Sequence, residues 1–357
     1  MEEIRVRSTS HSYIVSIGEK ILSQLEQFLT EDYSRVLIIT DETVADLYLD
    51  IVKNNIPKEK ISSHIIPAGE QSKNIDAFYN LHTEALKNGL DRNSLIVALG
   101  GGVVGDLAGF AAATYMRGID YIQVPTTILA HDSSVGGKVA INHELGKNMI
   151  GNFYPPRAVV FDVTTLQSLK DKDIRSGYAE LIKEALIDDE AFFHSMLKTE
   201  LNTLSNKQLQ EHIMFGIKVK ALIVEADEKE SGVRKYLNLG HTLGHAIEAE
   251  LGYGTLTHGE AIAIGLLFAL HVSEDIYGVS LPFNDLYQWL EKNDYPLNTF
   301  QFNEDALINK MKSDKKTIDN TIQMVLLEKI GTPATKEIND QDLKNYLQSF
   351  NQRVVRE

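Results

Sequence analysis

The first 165 residues alternate short apolar runs with segments of helical periodicity. Each apolar run is five or six residues long, and a helical stretch follows it, such as residues 75–88, which Gly89 closes. Apolar strands separated by helices favour a parallel sheet covered on both faces. The runs that predict strands are residues 35–40, 63–67, 94–99, 121–125 and 158–162.

From about Leu166 onward, long helical patterns dominate the sequence. We therefore expect two domains, an α/β domain over residues 1–165 and a mainly α-helical domain over residues 166–357. We find no internal repeat. The helical patterns of the second half cover residues 174–187, 209–228, 244–249 and 260–277.

The composition excludes several classes of protein. The chain has 357 residues, 43% of them hydrophobic and 24% charged, as in ordinary globular proteins. It contains no cysteine, so histidine and carboxylate side chains would have to hold any metal. The formal charge of −15 disfavours nucleic acid as a partner.

The sequence also predicts a soluble, cytoplasmic protein. Residues 1–20 carry Glu2 and Glu3 early and lack the apolar segment of a signal peptide. The longest apolar run, residues 261–270, is about half as long as a membrane helix. No association with a membrane is expected.

Three histidines fall within 18 residues of a chain that has 11 in all. His241 and His245 are four residues apart and would share one face of a helix, and His258 follows them. A catalytic divalent metal needs a few nitrogen or oxygen ligands and one open position. The cluster therefore indicates a metal site, with Glu180 upstream of it. For any one of these histidines, an ordinary hydrogen-bonded side chain is the alternative.

Residues 100–105 fit the pattern G-x-G-x-x-G, directly after a predicted strand and before an apolar helix. Backbone N–H groups at such a helix start can bind a pyrophosphate, as in Rossmann-like domains. The acidic residue expected after the next strand is missing, because Asp120 precedes that strand, and Asp41 suits a ribose hydroxyl better. The alternative is that the glycines serve only close packing of the helix on the strand.

A third cluster combines glycine with lysine and asparagine, over residues 132–138 and 146–148. Such a combination suits a small anion. A surface loop with solvated lysines is an equal alternative, and neither lysine lies in a Walker P-loop pattern.

Several motifs occur in one order along the chain, and each is unspecific by itself. The motifs are residues 100–106, 123–127, 132–138, 146–148, 179–183, 238–245, 258–260, 314–316 and 325–327. In that order they resemble the 3-dehydroquinate synthase family over about residues 35–330. Three positions depart from the family pattern: Lys170 and Asn320 replace a usual proline and glycine, and Tyr154 stands where glutamine is common.

The resemblance implies an NAD- and metal-dependent lyase of the shikimate pathway. Its substrate is 3-deoxy-D-arabino-heptulosonate 7-phosphate, and its products are 3-dehydroquinate and phosphate. In that family, NAD transiently oxidises the C5 alcohol, phosphate is eliminated, C5 is reduced again, the ring opens and an intramolecular aldol step closes the carbocycle. NAD is required but not consumed, and the metal is zinc or cobalt.

The resemblance also implies a fold and a set of site residues. We expect a Rossmann-like NAD-binding domain over residues 1–165, a helical metal- and substrate-binding domain over residues 166–357, and an active site in the cleft between them. The implied metal ligands are Glu180, His241 and His258. The implied NAD contacts are Asp41, Glu70, Lys73, Gly102, Asp106, Thr126 and Thr127. The implied catalytic, anion-binding and orienting residues are Arg117, Asp132, Lys138, Lys147, Asn148, Lys183, Lys220, Arg234, Asn238, His245 and Lys316, with Lys315 as a neighbouring candidate.

In the family, the arginine at the position of Arg117 reaches the site of a neighbouring subunit, so a homodimer is implied. Two other functions remain open. One is a related enzyme, either a sugar phosphate cyclase with another substrate or a glycerol dehydrogenase-like enzyme that releases NADH. The other is a non-catalytic NAD-binding or metal-storage protein. Lys138 and Lys147 favour a phosphate cyclase over a dehydrogenase.

Overall fold

The computed structural model describes residues 1–29, 31–252, 254–297, 303–313 and 322–356. Its strands are β1 (Glu2–Arg7), β2 (Ser12–Gly18), β3 (Val36–Asp41), β4 (Ile61–Ile66), β5 (Leu95–Gly100), β6 (Asp120–Pro125), β7 (Lys138–His143), β8 (Gly146–Phe153), β9 (Ala158–Asp162), β10 (Ile322–Lys329) and β11 (Thr332–Ile338).

The α-helices include two short pieces, α1 and α2, which a π-helical turn (Ala45–Leu49) joins. Short 3-10 helices lie between several of the other elements. The α-helices are α1 (Glu42–Val44), α2 (Asp50–Lys53), α3 (Ile75–Lys87), α4 (Gly102–Thr114), α5 (Ala130–Ser133), α6 (Asp171–Asp188), α7 (Glu190–Met196), α8 (Asn206–Ala226), α9 (His241–Leu251), α10 (His258–Tyr277), α11 (Phe283–Lys292), α12 (Glu304–Ser313) and α13 (Asp340–Arg356).

The chain packs into two compact units. The first consists of residues 1–169 and 205–229, and the second of residues 170–204 and 230–357. The first unit differs from the predicted segment 1–165 mainly by one helix, α8, which packs against β1, β2 and α5. Helical periodicity predicts such a helix but does not tell which part of the chain it packs against. The cofactor that each unit binds stays a prediction.

A seven-stranded sheet forms the centre of the first unit, in the order β1-β2-β9-β6-β5-β3-β4. The pairs from β2 to β4 are parallel, and β1 runs antiparallel to β2. All five predicted strands are confirmed, as β3, β4, β5, β6 and β9. The remaining strands, β1, β2, β7, β8, β10 and β11, were not predicted from the sequence.

Both faces of this sheet are buried, as the continuous apolar runs predict. In β3, Leu37 and Ile39 join a core cluster with α4, whereas Val36 and Ile38 join a second cluster on the other face. Side chains of a strand alternate between faces, so only a doubly covered strand is apolar at every position.

The direction of chain winding changes between β3 and β5. From β3 the chain passes to β4 on one side, and it then returns to β5 on the other side and continues to β6. Open α/β sheets bind ligands outside the carboxyl ends of the strands at such a switch point. Asp41 ends β3 and Gly100 ends β5, so both residues lie at this edge of the sheet.

The second unit is mainly helical, and a two-stranded hairpin, β10 and β11, packs against its central helix α10. Helices α9 and α10 approach closely because both carry glycine at their contact. A Cβ atom on Gly265 would lie 1.9 Å from the carbonyl oxygen of Gly240, and one on Gly244 would lie 2.6 Å from Ile262. This close approach brings the amino-terminal ends of the two helices together.

A capping box fixes the start of α10. The Thr257 hydroxyl accepts a hydrogen bond from the Glu260 backbone N–H at 3.3 Å, and the Glu260 carboxylate accepts from the Thr257 N–H at 2.9 Å. The helix therefore begins at His258. Throughout the described part of the chain, we find no helix with both the length and the apolar character needed to cross a membrane.

Candidate functional site

Three histidines and one glutamate converge in the helical unit. We call Glu180, His241, His245 and His258 the histidine–glutamate cluster. One nitrogen of each histidine lies within 4.8 Å of a nitrogen of the other two. The Glu180 Oε1 atom lies 3.5 Å from His241 Nε2 and 3.3 Å from His258 Nε2. Residues from α6, α9 and α10 thus meet at one point.

Hydrogen bonds orient two of the imidazoles. His241 Nδ1 lies 3.1 Å from the Leu239 carbonyl oxygen, and His258 Nδ1 lies 3.0 Å from Glu248 Oε2. Because a carbonyl and a carboxylate oxygen only accept, each Nδ1 carries the proton and donates it. Each Nε2 then faces Glu180, in the orientation that a metal-binding histidine uses.

The Glu180 carboxylate is buried and divides its oxygen atoms between two partners. Its Oε1 atom faces the histidines, and its Oε2 atom accepts a hydrogen bond from Lys183, one helical turn further along α6. Both side chains are only 1% exposed. Lys183 therefore compensates the buried charge of Glu180 and orients its other oxygen atom.

The electrostatics of this cluster favour a positive charge. Burial lowers the pKa of His258, but hydrogen bonds to Glu180 and Glu248 outweigh burial and raise the pKa to about 10. A divalent cation would supply the charge that these carboxylates favour. One carboxylate and two or three imidazoles also form a donor set that suits zinc or cobalt, so the residues present fit a divalent metal.

Two contacts join α6 to the start of α10. Arg175 donates two hydrogen bonds to Glu260 Oε1, at 3.0 and 2.8 Å, and the Gly259 N–H donates to the Ser176 hydroxyl at 3.0 Å. A Cβ atom on Gly259 would lie 1.9 Å from the Ser176 carbonyl oxygen. The helix that carries Glu180 is therefore held against Gly259 and Glu260, the two residues that follow His258.

The remaining predicted residues of the helical unit lie near the start of α9. Arg234 is 1% exposed, in the 3-10 helix Val233–Asn238 that precedes this helix. Asn238 donates a hydrogen bond to Glu230 Oε1 at 2.9 Å. Lys315 and Lys316 lie outside the described residues.

A second group of predicted residues lies in the α/β unit, around Lys73. The Lys73 ammonium group lies 2.5 Å from Asp106 Oδ2 and 2.5 Å from Asn148 Oδ1, and the side chain is only 4% exposed. Burial raises the pKa of Asp106, and the charge of Lys73 opposes this effect. Glu70 joins the group through Asn142, whose amide donates to Glu70 Oε1 at 2.7 Å.

Gly105 of the glycine-rich segment and Gly109, one helical turn further along α4, both have a packing role. A Cβ atom on Gly105 would lie 2.7 Å from Gln123 Oε1, and one on Gly109 would lie 2.5 Å from Val139. Gly102 begins α4 and faces the Ser133 hydroxyl, 3.1 Å from where its Cβ atom would be. Close packing thus explains Gly105, while the helix start at Gly102 has the backbone geometry for an anion.

Other predicted NAD contacts lie at the carboxyl ends of β3 and β6. Asp41 caps α1 by accepting a hydrogen bond from the Val44 N–H at 3.0 Å. The Thr126 N–H donates to the Gly100 carbonyl oxygen at 3.1 Å, and the Thr127 hydroxyl accepts from the Ala130 N–H at 3.2 Å.

Buried Lys220 and partly buried Asp132 form a further ion pair in this unit. The Lys220 ammonium group lies 2.9 Å from Asp132 Oδ2 and also donates to the Asp132 carbonyl oxygen. Lys138 begins β7, and Lys147 and Asn148 lie on β8. Asn148 has a φ of 56°, a left-handed conformation that asparagine tolerates better than most residues.

Arg117 lies exposed on a turn of unusual backbone conformation. Met116, Arg117 and Gly118 have φ values of 48°, 70° and 118°. Tyr154 supports the turn, because its hydroxyl donates to the Ile119 carbonyl oxygen at 2.9 Å. Non-glycine residues in this region cost free energy and often occur at functional positions.

Sequence reasoning missed several residues that hold the histidine–glutamate cluster. A signal existed for Glu248, since residues 241, 245 and 248 share one helix face. Thr257 and Glu260 match the capping-box pattern three residues apart. For Arg175 and Ser176 we find no local signal, because only tertiary packing brings α6 to α10.

Solved structures of other enzymes share the fold of this chain. 2-Deoxy-scyllo-inosose synthase, complexed with carbaglucose-6-phosphate, NAD⁺ and Co²⁺, matches with a TM-score of 0.88 at 28% identity, over 98% of this chain and 100% of that chain. 2-epi-5-epi-Valiolone synthase from Streptomyces hygroscopicus, with NAD⁺ and Zn²⁺ bound, matches with a TM-score of 0.85 at 21% identity, over 98% and 100%. The chain therefore has the fold of the sugar phosphate cyclases.

Sequence comparison narrows this class. Residues 63–176 match the model of the 3-dehydroquinate synthase N-terminal domain, and residues 177–317 match that of the C-terminal domain. A 3-dehydroquinate synthase from Oceanobacillus iheyensis is 55% identical over 356 residues, which cover 99% of each chain. The chain belongs to the 3-dehydroquinate synthase family.

Proposed function

We propose that this protein converts 3-deoxy-D-arabino-heptulosonate 7-phosphate to 3-dehydroquinate and phosphate, the second step of the shikimate pathway. The observation that carries the proposal is the 55% identity to a 3-dehydroquinate synthase over 99% of the chain. The match to 2-deoxy-scyllo-inosose synthase covers as much of the chain but at only 28% identity, so the expectation of a related cyclase with another substrate is the weaker one.

Glu180, His241 and His258 would hold the divalent metal, zinc or cobalt. The common approach of both Nε2 atoms to one Glu180 oxygen supports this set. When bound, the metal would supply a Lewis acid for a substrate oxygen, and NAD would supply reversible oxidation at one carbon. His245 is close enough to belong to the ligand set, yet we propose that it faces the substrate.

The substrate carries a phosphate and a carboxylate, and charge-assisted hydrogen bonds would hold both groups. Basic residues would each neutralise part of this charge, and the ion pairs of Lys183 with Glu180 and of Lys220 with Asp132 would orient two of them. We propose a role in binding the substrate or in orienting the groups that bind it for Arg117, Asp132, Lys138, Lys147, Asn148, Lys183, Lys220, Arg234, Asn238, His245 and Lys316.

The α/β unit would bind NAD at the carboxyl ends of β3 and β5. The switch point at this edge and the start of α4 support the assignment, because a helix start offers backbone donors to a pyrophosphate. We propose contacts with Asp41, Glu70, Lys73, Gly102, Asp106, Thr126 and Thr127.

We further propose that the protein is a homodimer. The β7–β8 hairpin exposes apolar side chains, with Leu145 exposed by 91% and Met149 by 54%. A second copy of the chain would cover these side chains. Sedimentation equilibrium is expected to give twice the mass of the 39.9 kDa chain, and a monomer at micromolar concentration would contradict the proposal.

A cytoplasmic location is part of the same proposal, as expected for a biosynthetic enzyme acting on a sugar phosphate. Cell fractionation followed by activity measurement tests it. Activity confined to the extracellular or membrane fraction would be incompatible with it.

One assay tests the proposed reaction against its alternatives. The metal-loaded enzyme is incubated with the heptulosonate phosphate and NAD far below the substrate concentration, and phosphate and NADH are followed together. We expect one phosphate per substrate and no accumulation of NADH. NADH that accumulates with product would identify a dehydrogenase. Turnover of glucose 6-phosphate in a parallel reaction, without turnover of the heptulosonate, would identify a different cyclase.

A further inference from the structure

A buried carboxylate, Glu248, contacts the histidine–glutamate cluster from the side opposite to Glu180. Glu248 lies on α9, seven residues after His241, and its side chain is only 6% exposed. Its Oε2 atom lies 3.0 Å from His258 Nδ1. Glu248 is not among the residues for which the family resemblance implies a role.

This contact determines which nitrogen of His258 can bind a metal. The carboxylate only accepts hydrogen bonds, so the proton is held on Nδ1, and Nε2 keeps its lone pair for a cation. A carboxylate behind a ligating imidazole also increases the basicity of the imidazole and restrains the ring orientation. His241 has a weaker version of this arrangement, because a neutral carbonyl oxygen, that of Leu239, faces its Nδ1.

We propose that Glu248 is a positioning residue, which holds His258 in the tautomer and orientation that bind a divalent metal and thereby strengthens metal binding. The inference rests on the proposed metal role of His258. Glu248 itself touches neither metal nor substrate and acts only through this ring.

Separate contacts hold the backbone of His258. The capping box of Thr257 and Glu260, the pair of Arg175 with Glu260 and the hydrogen bond of Gly259 to Ser176 all act on the main chain or on neighbouring side chains. Glu248, by contrast, contacts the imidazole ring of His258. A substitution at Glu248 should therefore alter the tautomer and orientation of the His258 imidazole without displacing the start of α10.

The test measures the affinity of the whole protein for Zn²⁺ and for Co²⁺, by competition with a chelator. Glu248→Met removes the acceptor, and Glu248→Gln keeps an acceptor oxygen but removes the charge. Glu250→Met and Glu250→Gln are the matched controls, because Glu250 lies on the same helix and is exposed. We expect affinity to fall about 10- to 100-fold in Glu248→Met, the range of such orienting residues, to fall less in Glu248→Gln, and to stay unchanged in both controls.

The outcomes separate this inference from the proposed metal site. His258→Ala is measured in parallel, and metal affinity equal to that of the wild type would overturn the site itself. If His258→Ala loses metal while both Glu248 variants bind as the wild type does, only the role of Glu248 is overturned. If Glu248→Met fails to fold, as judged by its thermal transition without metal, the comparison of Glu248→Gln with Glu250→Gln decides.

Discussion

At the scale of single residues, Glu180 contacts both the imidazoles of the proposed metal site and a lysine proposed to bind the substrate. One carboxylate oxygen faces two imidazoles, and the other accepts from Lys183. An uncompensated buried carboxylate would be costly, so Lys183 stabilises Glu180 in the arrangement that a metal would use. Because Lys183 is also a proposed substrate contact, one side chain would link the charge state of the proposed metal ligand Glu180 to the binding of the substrate.

His258 and His245 should respond differently to substitution. We expect His258→Ala to weaken metal binding by more than about 100-fold, beyond the effect of an orienting residue, and to abolish turnover. His245→Ala should keep its metal and lose most of its turnover, because His245 faces the substrate in our proposal. Metal analysis of the dialysed proteins and steady-state kinetics provide both measurements. Full metal occupancy in His258→Ala would exclude it as a ligand, and an empty site in His245→Ala would include His245 among the ligands.

At the scale of elements, close packing of glycine sets the geometry of the site. Helices α9 and α10 meet through Gly240, Gly244 and Gly265, and α10 meets α6 through Gly259. At each of these glycines, the neighbouring helix lies so close that a side chain in place of the glycine would clash with it. The proposed metal ligands therefore converge because three helices can approach one another closely at these positions.

A substitution at Gly259 tests this view. A Cβ atom there would lie 1.9 Å from the Ser176 carbonyl oxygen, so Gly259→Ala must push α10 away from α6. We expect a loss of about 1–3 kcal/mol in the free energy of unfolding, as for other overpacked positions, together with weaker metal binding. Urea unfolding and chelator competition measure the two effects.

Gly252→Ala is the matched control. Gly252 ends α9 with a φ of 82°, and a Cβ atom there would meet nothing within 4 Å. Its cost should be about 1–2 kcal/mol from backbone conformation alone, with metal affinity unchanged. Equal loss of metal in both variants would mean that lower stability, and not the position of α10, weakens the site.

Secondary-structure elements were easier to predict from the sequence than the packing of one element against another. The strands β3, β5 and β9 are apolar at almost every position because both faces of the sheet are covered, and this pattern is unambiguous. The strands β1 and β8 carry mostly exposed residues, so their patterns resemble loops. Both strands were therefore missed.

The candidate site shows the same limit. The spacing of His241 and His245 on one helix face follows from sequence, and so does the metal chemistry of the histidine group. The approach of Glu180 and Arg175 does not, because α6 lies far away in sequence and only tertiary packing places it. The family resemblance supplied Glu180, and no pattern that we used supplied Arg175 or Glu248.

At the scale of the whole molecule, the proposed homodimer predicts complementation between inactive subunits. Arg117→Ala and His258→Ala should each be inactive alone, because each lacks one part of every site. If Arg117 acts in the site of its partner, a mixed dimer contains one complete site. We expect co-expression at equal levels to restore about a quarter of the wild-type activity, since half of the dimers are mixed. No activity above that of the separate variants would mean that Arg117 acts within its own subunit.

Buried histidines should make stability depend on pH. Burial lowers the pKa of His212, with Glu211 opposing, so the folded protein favours the neutral ring. The unfolded chain binds the proton more readily, and the stability present above the ordinary pKa of 6.5 is lost as the pH falls below it. We expect His212→Gln to remove this pH-dependent loss in the free energy of unfolding. The loss is at most about 1.4 kcal/mol per pH unit.

Urea unfolding of metal-loaded wild type and His212→Gln between pH 7.5 and 5 measures this difference. We expect the free energy of unfolding of the wild type to fall relative to that of the variant as the pH decreases. His194→Gln, at a position where the side chain is 44% exposed, serves as the control and should follow the wild type. Parallel curves for wild type and His212→Gln would show that His212 does not cause the dependence.

The place of α8 in the first unit has a consequence for biosynthesis on the ribosome. The unit is discontinuous in sequence, and α8 contributes buried Leu209, Ile213 and Ile217 to it, along with the Lys220 that pairs with Asp132. A nascent chain that has released only residues 1–169 therefore exposes the apolar surface that α8 later covers, a state prone to aggregation. The α/β unit can complete its folding only after residue 229 has left the exit tunnel, when part of the helical unit has already been synthesised.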